Sequence, residues 1–116
     1  MCSPEGISRL RKKYEMVARE FLEAHGDLPV KTSRIGPWYH KGEEIDLVAV
    51  EGDKGMFFEV KWSELNRREV ENTLKELERK AERFELKEKY YGLVTKNAPK
   101  GEFVFTLKDM EKLIYE

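Results

Sequence analysis

Two apolar segments separated by a short polar turn constrain this chain more than any other feature. Residues 44–50 and 56–62 are rich in the β-branched and aromatic side chains that favour strands. Residues 51–54 between them have turn chemistry. The pattern predicts a β-hairpin with one wholly apolar face and a second face that is apolar near the turn. Such a hairpin is expected in the middle of a sheet that helices cover on both sides.

Charged side chains interrupt the second face of this hairpin. With a four-residue loop, Asp46 faces Glu59, and Lys61 lies next along the same face. Opposed carboxylates repel each other and are seldom buried unless they are paired or bind a metal. A Mg²⁺ ion, which favours one or two carboxylates plus water and phosphate oxygens, would resolve this conflict. The alternative is a solvated strand end with a Glu44–Lys61 ion pair, and a one-residue slip in register would separate the two acids.

Helices and further strands are predicted around the hairpin. Asn66 and Glu69 form a capping-box pattern at the start of a long helix whose apolar stripe extends to Phe84. The other predicted elements are a helix over 7–24 capped by Gly26, an edge strand over 29–34, a chain break at Gly36-Pro37, strands over 90–95 and 103–107, and a helix over 108–115. The predicted order is α-β-β-β-α-β-β-α, in one α/β domain that spans residues 1–116.

Composition excludes several classes of function. The net charge is −1 and the pI about 6.2, so contact with nucleic acid would need a local patch of positive charge. Cys2 is the single cysteine, which excludes an intrachain disulfide and a Cys-based zinc site, and the two histidines, His25 and His40, cannot build a His-rich metal site. We expect a cytoplasmic protein, because the sequence has neither a membrane-length apolar run nor a visible signal peptide. The excess of Lys and Glu is typical of thermophile surfaces.

The hairpin resembles the signature of a nuclease superfamily. Asp46, followed thirteen residues later by Glu59 and Lys61, resembles the D-x(n)-E-x-K motif of PD-(D/E)XK nucleases, and Tyr14-Glu15 resembles a step in their first helix. More narrowly, residues 35–39, 44–49 and 58–62 look like an archaeal domain of unknown function found at the C-terminus of P-loop ATPases.

The chain departs from these patterns at two points. Ile45 stands where the superfamily name places proline. The G-x-x-x-x-G-K-[ST] loop of the ATPases does not occur, so we expect either a free-standing protein or a fragment of a longer one.

The resemblance implies a restriction-endonuclease-like core with a central mixed sheet of four to five strands flanked by helices. It implies that Asp46, Glu59 and the carbonyl of Val60 bind Mg²⁺ or Mn²⁺. Lys61 would orient the attacking water or help to deprotonate it, and would offset charge on the phosphate. The bound metal would polarise the phosphate.

The resemblance also implies a contribution from the first helix. Glu15 would complete the site, and its rival Glu20 lies about 140° away around the helix, so only one of the two can point inward. Nucleic-acid contacts are predicted for Trp38, His40, Lys41, Trp62 and Lys96. Base stacking is expected of the aromatic residues Trp38, Tyr39 and Trp62, with ordinary packing as the alternative.

These residues predict metal-dependent hydrolysis of phosphodiester bonds by an endonuclease acting on DNA. The alternative is a non-catalytic module with a nuclease fold, which binds nucleic acid or associates with a P-loop ATPase. A dimerising structural regulator is the third hypothesis.

Overall fold

Five strands form one mixed sheet that has helices on both faces. The computed structural model describes residues 4–25, 28–32 and 34–115, and within residues 13–111 it also describes side chains. The elements are α1 (Pro4–Ala24), β1 (Gly36–His40), β2 (Glu43–Glu51), β3 (Lys54–Glu64), α2 (Arg67–Ala81), β4 (Glu88–Asn97), β5 (Val104–Phe105) and α3 (Leu107–Tyr115). The strand order is β1-β2-β3-β4-β5. β1 pairs with β2, and β2 with β3, in the antiparallel sense, whereas β3 pairs with β4, and β4 with β5, in the parallel sense. The α/β class and the predicted order of elements are confirmed.

Two tight turns connect the antiparallel strands. Lys41 and Gly42 both have positive φ, 48° and 81°, as a two-residue type I′ turn requires. Between β2 and β3, Gly52 has φ of 62°, and Glu51 pairs with Lys54. The predicted four-residue loop is therefore a two-residue turn. The predicted register of the hairpin is confirmed near the turn. Glu51 and Lys54, the first and last residues of the predicted loop, pair with each other and extend the ladder without shifting it.

The central strand β3 is buried on both faces. Phe57 packs in a cluster with Leu77 of α2, whereas Phe58 packs on the other face with Leu22 of α1. Both phenylalanine side chains are fully buried, and burial of each contributes about 1.5–3 kcal/mol to folding. The predicted position of the hairpin in the middle of a helix-covered sheet is confirmed.

The capping box at the start of α2 is confirmed. The Asn66 side chain accepts a hydrogen bond from the Glu69 backbone N–H at 2.9 Å, and the Glu69 carboxylate accepts one from the Asn66 N–H at 3.1 Å. The helix ends at Ala81, so Phe84 lies beyond it. Phe84 nevertheless packs against Phe57, with ring centroids 5.0 Å apart, which explains why it fits the apolar stripe of the helix.

The first strand was predicted in the wrong place. Residues 29–34 form no strand in their described part; Val30 is buried, and the hydroxyl of Thr32 donates to a carbonyl of α1. β1 instead begins at Gly36-Pro37, where a break was expected. Because β1 lies at the edge of the sheet, proline can occupy it without loss of a ladder hydrogen bond.

The helix α1 covers the face of the sheet opposite α2. Its buried side chains include those of Ala18, Phe21 and Leu22, whereas Val17 is exposed. The predicted cap, Gly26, lies outside the described residues. Among the described helices, none is both long and apolar enough to cross a membrane.

Candidate functional site

A β-bulge in β2 sets the direction of the Asp46 side chain. Gly36 pairs with Val48 and Trp38 with Ile45, so two steps along β1 correspond to three along β2. The alternation of side chains is interrupted there: Ile45 packs on the α2 side, and Leu47 packs on the α1 side. One extra residue in a strand re-aims the neighbouring side chains.

The bulge directs the carboxylate of Asp46 toward β3. The β2–β3 ladder ends at the Leu47–Phe58 pair. One residue further along β3, the backbone N–H of Val60 donates to Asp46 Oδ2 at 2.9 Å. This hydrogen bond takes the place of the next backbone bond of the ladder. Asp46 is only 8 % exposed. Because the N–H and C=O of one strand residue point to the same side, the Val60 carbonyl also faces β2.

β3 presents Glu59 and Lys61 on its α2 face. Both residues pair with the parallel neighbour β4, Glu59 with Leu93 and Lys61 with Thr95. Glu59 is half-buried and Lys61, nearer the end of the strand, is exposed. The alternative hypothesis of an ordinary Glu44–Lys61 ion pair is not observed among the described side chains.

Asp46 and Glu59 form a pair of acids whose charges interact. Burial raises the pKa of Glu59 from its ordinary value of 4.5 to about 7, and the charge of Asp46 raises it as well. The ammonium groups of Lys80 and Lys61 lower the pKa of Glu59, and a hydrogen bond with the Asp46 carboxylate makes a smaller contribution that raises it. Because burial and a neighbouring carboxylate both disfavour the charged form, Glu59 takes up a proton more readily than an ordinary glutamate does.

Lys80 is a site residue that the sequence analysis missed. Its Nζ donates to the backbone carbonyl of Glu44 at 2.9 Å, and it lowers the pKa of Glu59 more than Lys61 does. It lies three residues after the buried Leu77 on α2, so it flanks the apolar stripe of the helix. The only indication in the sequence was that this lysine lies next to the buried stripe of the helix. The group that it contacts depends on how α2 crosses the sheet.

A groove on the α1 side of the sheet reaches Asp46. Its volume is about 240 Å³, and it is lined by Glu15, Met16, Arg19, Pro37, Tyr39, Asp46 and Leu47. Glu15 therefore lies at the same groove as Asp46, whereas Glu20 is exposed and is not part of the lining. The structure thus brings together with Asp46 the glutamate of α1 that the resemblance favoured.

The predicted nucleic-acid contacts are divided between the two faces of the sheet. On the α2 side, the Trp38 ring stacks on His40 with centroids 5.7 Å apart. On the α1 side, Lys96 lies 5.9 Å from the centroid of the Trp62 ring. Lys41 is exposed in the β1–β2 turn. These residues share one edge of the sheet, where β1, β3 and β4 end, but do not form one continuous surface.

The donor groups at Asp46 fit a hard divalent cation. In the described part of the chain, no three His, Cys, Asp or Glu side chains form a cluster that could hold an ion. Two carboxylates and one backbone carbonyl are a set that Mg²⁺ completes with water and phosphate oxygens. The raised pKa of Glu59 points to the same chemistry, since a cation placed between the acids would relieve the repulsion that Asp46 adds.

Comparison with known proteins identifies a family. Uncharacterized protein MJECL04 of Methanocaldococcus jannaschii is 40 % identical over 107 residues, which cover 83 % of this chain and 24 % of that protein. The chain thus spans about a quarter of the length of this relative. No solved structure matches the chain. The family DUF234, described as "Archaea bacterial proteins of unknown function", matches residues 8–73, a segment that includes Asp46, Glu59 and Lys61. This match covers more than half of the 116 residues, and the chain therefore belongs to the DUF234 family.

Proposed function

We propose that this domain hydrolyses phosphodiester bonds of nucleic acid, with DNA as the expected substrate, in a reaction that requires Mg²⁺ or Mn²⁺. The observation that carries the proposal is the interacting pair of acids, Asp46 and Glu59, at the end of the β2–β3 ladder. Purely structural acids are seldom placed together in a half-buried site. The D-x(n)-E-x-K spacing supports the further proposal that the fold belongs to the PD-(D/E)XK superfamily.

Each residue of the site has a distinct role in this proposal. The carboxylates of Asp46 and Glu59, together with the Val60 carbonyl, hold the cation. When bound, the cation supplies Lewis acidity that polarises the phosphate and lowers the pKa of a water. Lys61 is exposed next to Glu59, where its ammonium group can orient the attacking water and offset the negative charge of the phosphate. Glu15 borders the site from α1.

Cleavage assays on several nucleic acids test the proposal. Supercoiled plasmid, branched DNA and single-stranded oligonucleotides are incubated with the protein and with Mg²⁺, Mn²⁺ or EDTA. We expect metal-dependent cleavage that is lost in Asp46→Ala and reduced by at least about 100-fold in Lys61→Ala. A wild-type protein that cleaves none of these substrates with either metal contradicts the proposal.

The hairpin itself offers matched controls. Asp53 lies in its exposed turn and Lys54 begins β3 at the end away from the site. Asp53→Ala and Lys54→Ala remove the same charges from the same two-stranded unit, and both should cleave like the wild type. Loss of activity in these controls as well would indicate a general effect of charge or stability, not a site at Asp46.

One observation favours a second candidate, a non-catalytic module of a larger protein. The chain corresponds to only 24 % of the length of its Methanocaldococcus relative. In this proposal the nuclease-like fold binds nucleic acid or a partner ATPase without hydrolysis.

Calorimetric titration with Mn²⁺, combined with the cleavage assays, separates the two candidates. Both predict binding that Asp46→Asn weakens, because the substitution removes a ligand charge. Binding without cleavage of any substrate selects the module. Turnover that follows metal occupancy selects the nuclease.

A further inference from the structure

Tyr39 differs from the other aromatic residues near the site because its ring is available. The Trp38 ring packs on His40 and Phe84. The centroid of the Trp62 ring lies 4.1 Å from that of Tyr14, and the ammonium group of Lys96 also lies over the Trp62 ring. Tyr39 is 69 % exposed, and the described residues provide no aromatic or cationic partner for its ring. An aromatic ring left in water at a strand edge gains nothing from packing, which makes it a candidate for contact with a ligand.

The surroundings of Tyr39 depend on the side of the sheet to which its side chain points. Side chains alternate along a strand, so Trp38 points to the α2 side, and Tyr39 points to the α1 side. There Tyr39 lines the groove that contains Asp46 and Glu15, together with Met16, which is 62 % exposed. Two exposed side chains with apolar surface therefore border the groove at Asp46.

The lining of the groove is mixed in polarity. Pro37, Met16 and Tyr39 contribute apolar surface, and Asp46 and Glu15 contribute an acidic part. Arg19 also lines the groove, with its guanidinium group paired to Glu23 at 3.1 Å. An apolar and aromatic wall suits a neutral base. The acidic part repels a bare phosphate but accepts one through a divalent cation. A volume of about 240 Å³ is of the order of one nucleobase with its sugar and is far too small for a duplex.

We propose that this groove binds a single unpaired nucleotide next to the phosphate at Asp46, with its base stacked on Tyr39. The inference rests on the proposed function, because the acid pair provides the reason for a phosphate at this point. A base within a duplex is stacked on its neighbours and paired, so it cannot lie flat on a protein ring. The substrate class is therefore single-stranded nucleic acid, or a duplex with an unpaired nucleotide at the cleavage position.

Binding to labelled oligonucleotides tests the inference without requiring turnover. Fluorescence anisotropy is measured with one sequence as single-stranded DNA, single-stranded RNA and duplex DNA, in the presence of Ca²⁺. Stacking of one base is worth about 1–3 kcal/mol, so Tyr39→Ala should weaken binding of a single strand by about 5- to 150-fold. Tyr39→Phe keeps the ring and should restore the affinity to within about twofold.

A base analogue reports stacking directly. 2-Aminopurine placed at successive positions of the single strand should be quenched at one position by the wild type and by Tyr39→Phe, and not by Tyr39→Ala. Val50 is 51 % exposed at the other end of the hairpin, so Val50→Ala is the matched control and should bind and quench like the wild type.

Two results would overturn the inference. One is equal affinity of Tyr39→Ala and the wild type for the single strand; the other is an equal loss for the duplex. Failure of the proposed function has a different signature, namely Tyr39-dependent binding of a single strand that no metal converts into cleavage.

Discussion

The carboxylate of Asp46 has two roles at the scale of a single residue. It accepts the hydrogen bond of the Val60 N–H, which would otherwise be left without a partner at the end of the ladder. It also places a negative charge against Glu59. The first role stabilises the fold and the second destabilises it, so substitutions that separate these roles should have opposite effects.

We expect Asp46→Asn to leave the metal-free protein as stable as the wild type or to raise its melting temperature. The amide oxygen can still accept the Val60 bond, and the repulsion with Glu59 is removed. Asp46→Ala leaves the buried N–H unpaired, which costs about 1–3 kcal/mol. Urea unfolding in EDTA measures both effects, with Asp53→Asn in the exposed turn as the control. A clearly less stable Asn variant would indicate that Asp46 forms a stabilising ion pair instead.

Glu59 should make stability depend on pH. Its pKa is about 7 in the folded state, above the ordinary value of 4.5, so the folded state binds more protons between these values. The free energy of unfolding therefore falls as pH rises from about 4.5 to 7. Because the carboxyl is partly exposed and screened by water, we expect a loss on the order of 1–2 kcal/mol.

Glu59→Gln isolates this contribution. Without metal, the difference in the free energy of unfolding, variant minus wild type, should increase from pH 5 to pH 8. Over this range only the wild type acquires a negative charge at the half-buried position. Urea unfolding at the two pH values gives the comparison. A difference that is the same at both pH values would show that Glu59 does not titrate in this range.

At the scale of elements, the close pairing of β3 with β4 depends on one glycine. A Cβ at Gly92 would lie 2.4 Å from the ring of Phe58 and 3.0 Å from the carbonyl oxygen of Phe103. Phe58 is fully buried, so its ring has no free space into which to move. The absence of a side chain at this position is therefore what allows β4 to pair with the strand that carries Glu59 and Lys61.

Gly92→Ala should destabilise the protein by about 1–3 kcal/mol, because overpacking forces buried groups out of place. Gly36→Ala in β1 is the control, since a Cβ there meets nothing within 4 Å. Chemical unfolding of both variants measures the difference. Equal stability of the two would show that the Phe58 ring can shift without cost.

At the scale of the whole molecule, the candidate site lies where separate segments meet. β2 supplies Asp46, β3 supplies Glu59 and Lys61, α2 supplies Lys80 and α1 supplies Glu15. Apolar clusters on the two faces of the sheet hold these elements in place, one beneath α1 and one beneath α2. The same arrangement separates Trp38 from Tyr39, although they are neighbours in sequence, and gives the first a packing role and the second a position in the groove.

The sequence by itself determined the order of elements, the register of the hairpin near its turn and the capping box of α2. Each depends on residues that are close along the chain, through apolar periodicity, turn chemistry or a three-residue spacing. The tertiary structure alone decided the bulge at Asp46, the approach of Lys80 and the position of β1. These depend on how β1 pairs with β2 and how the helices cross the sheet, and such long-range pairings leave little signal in local sequence patterns.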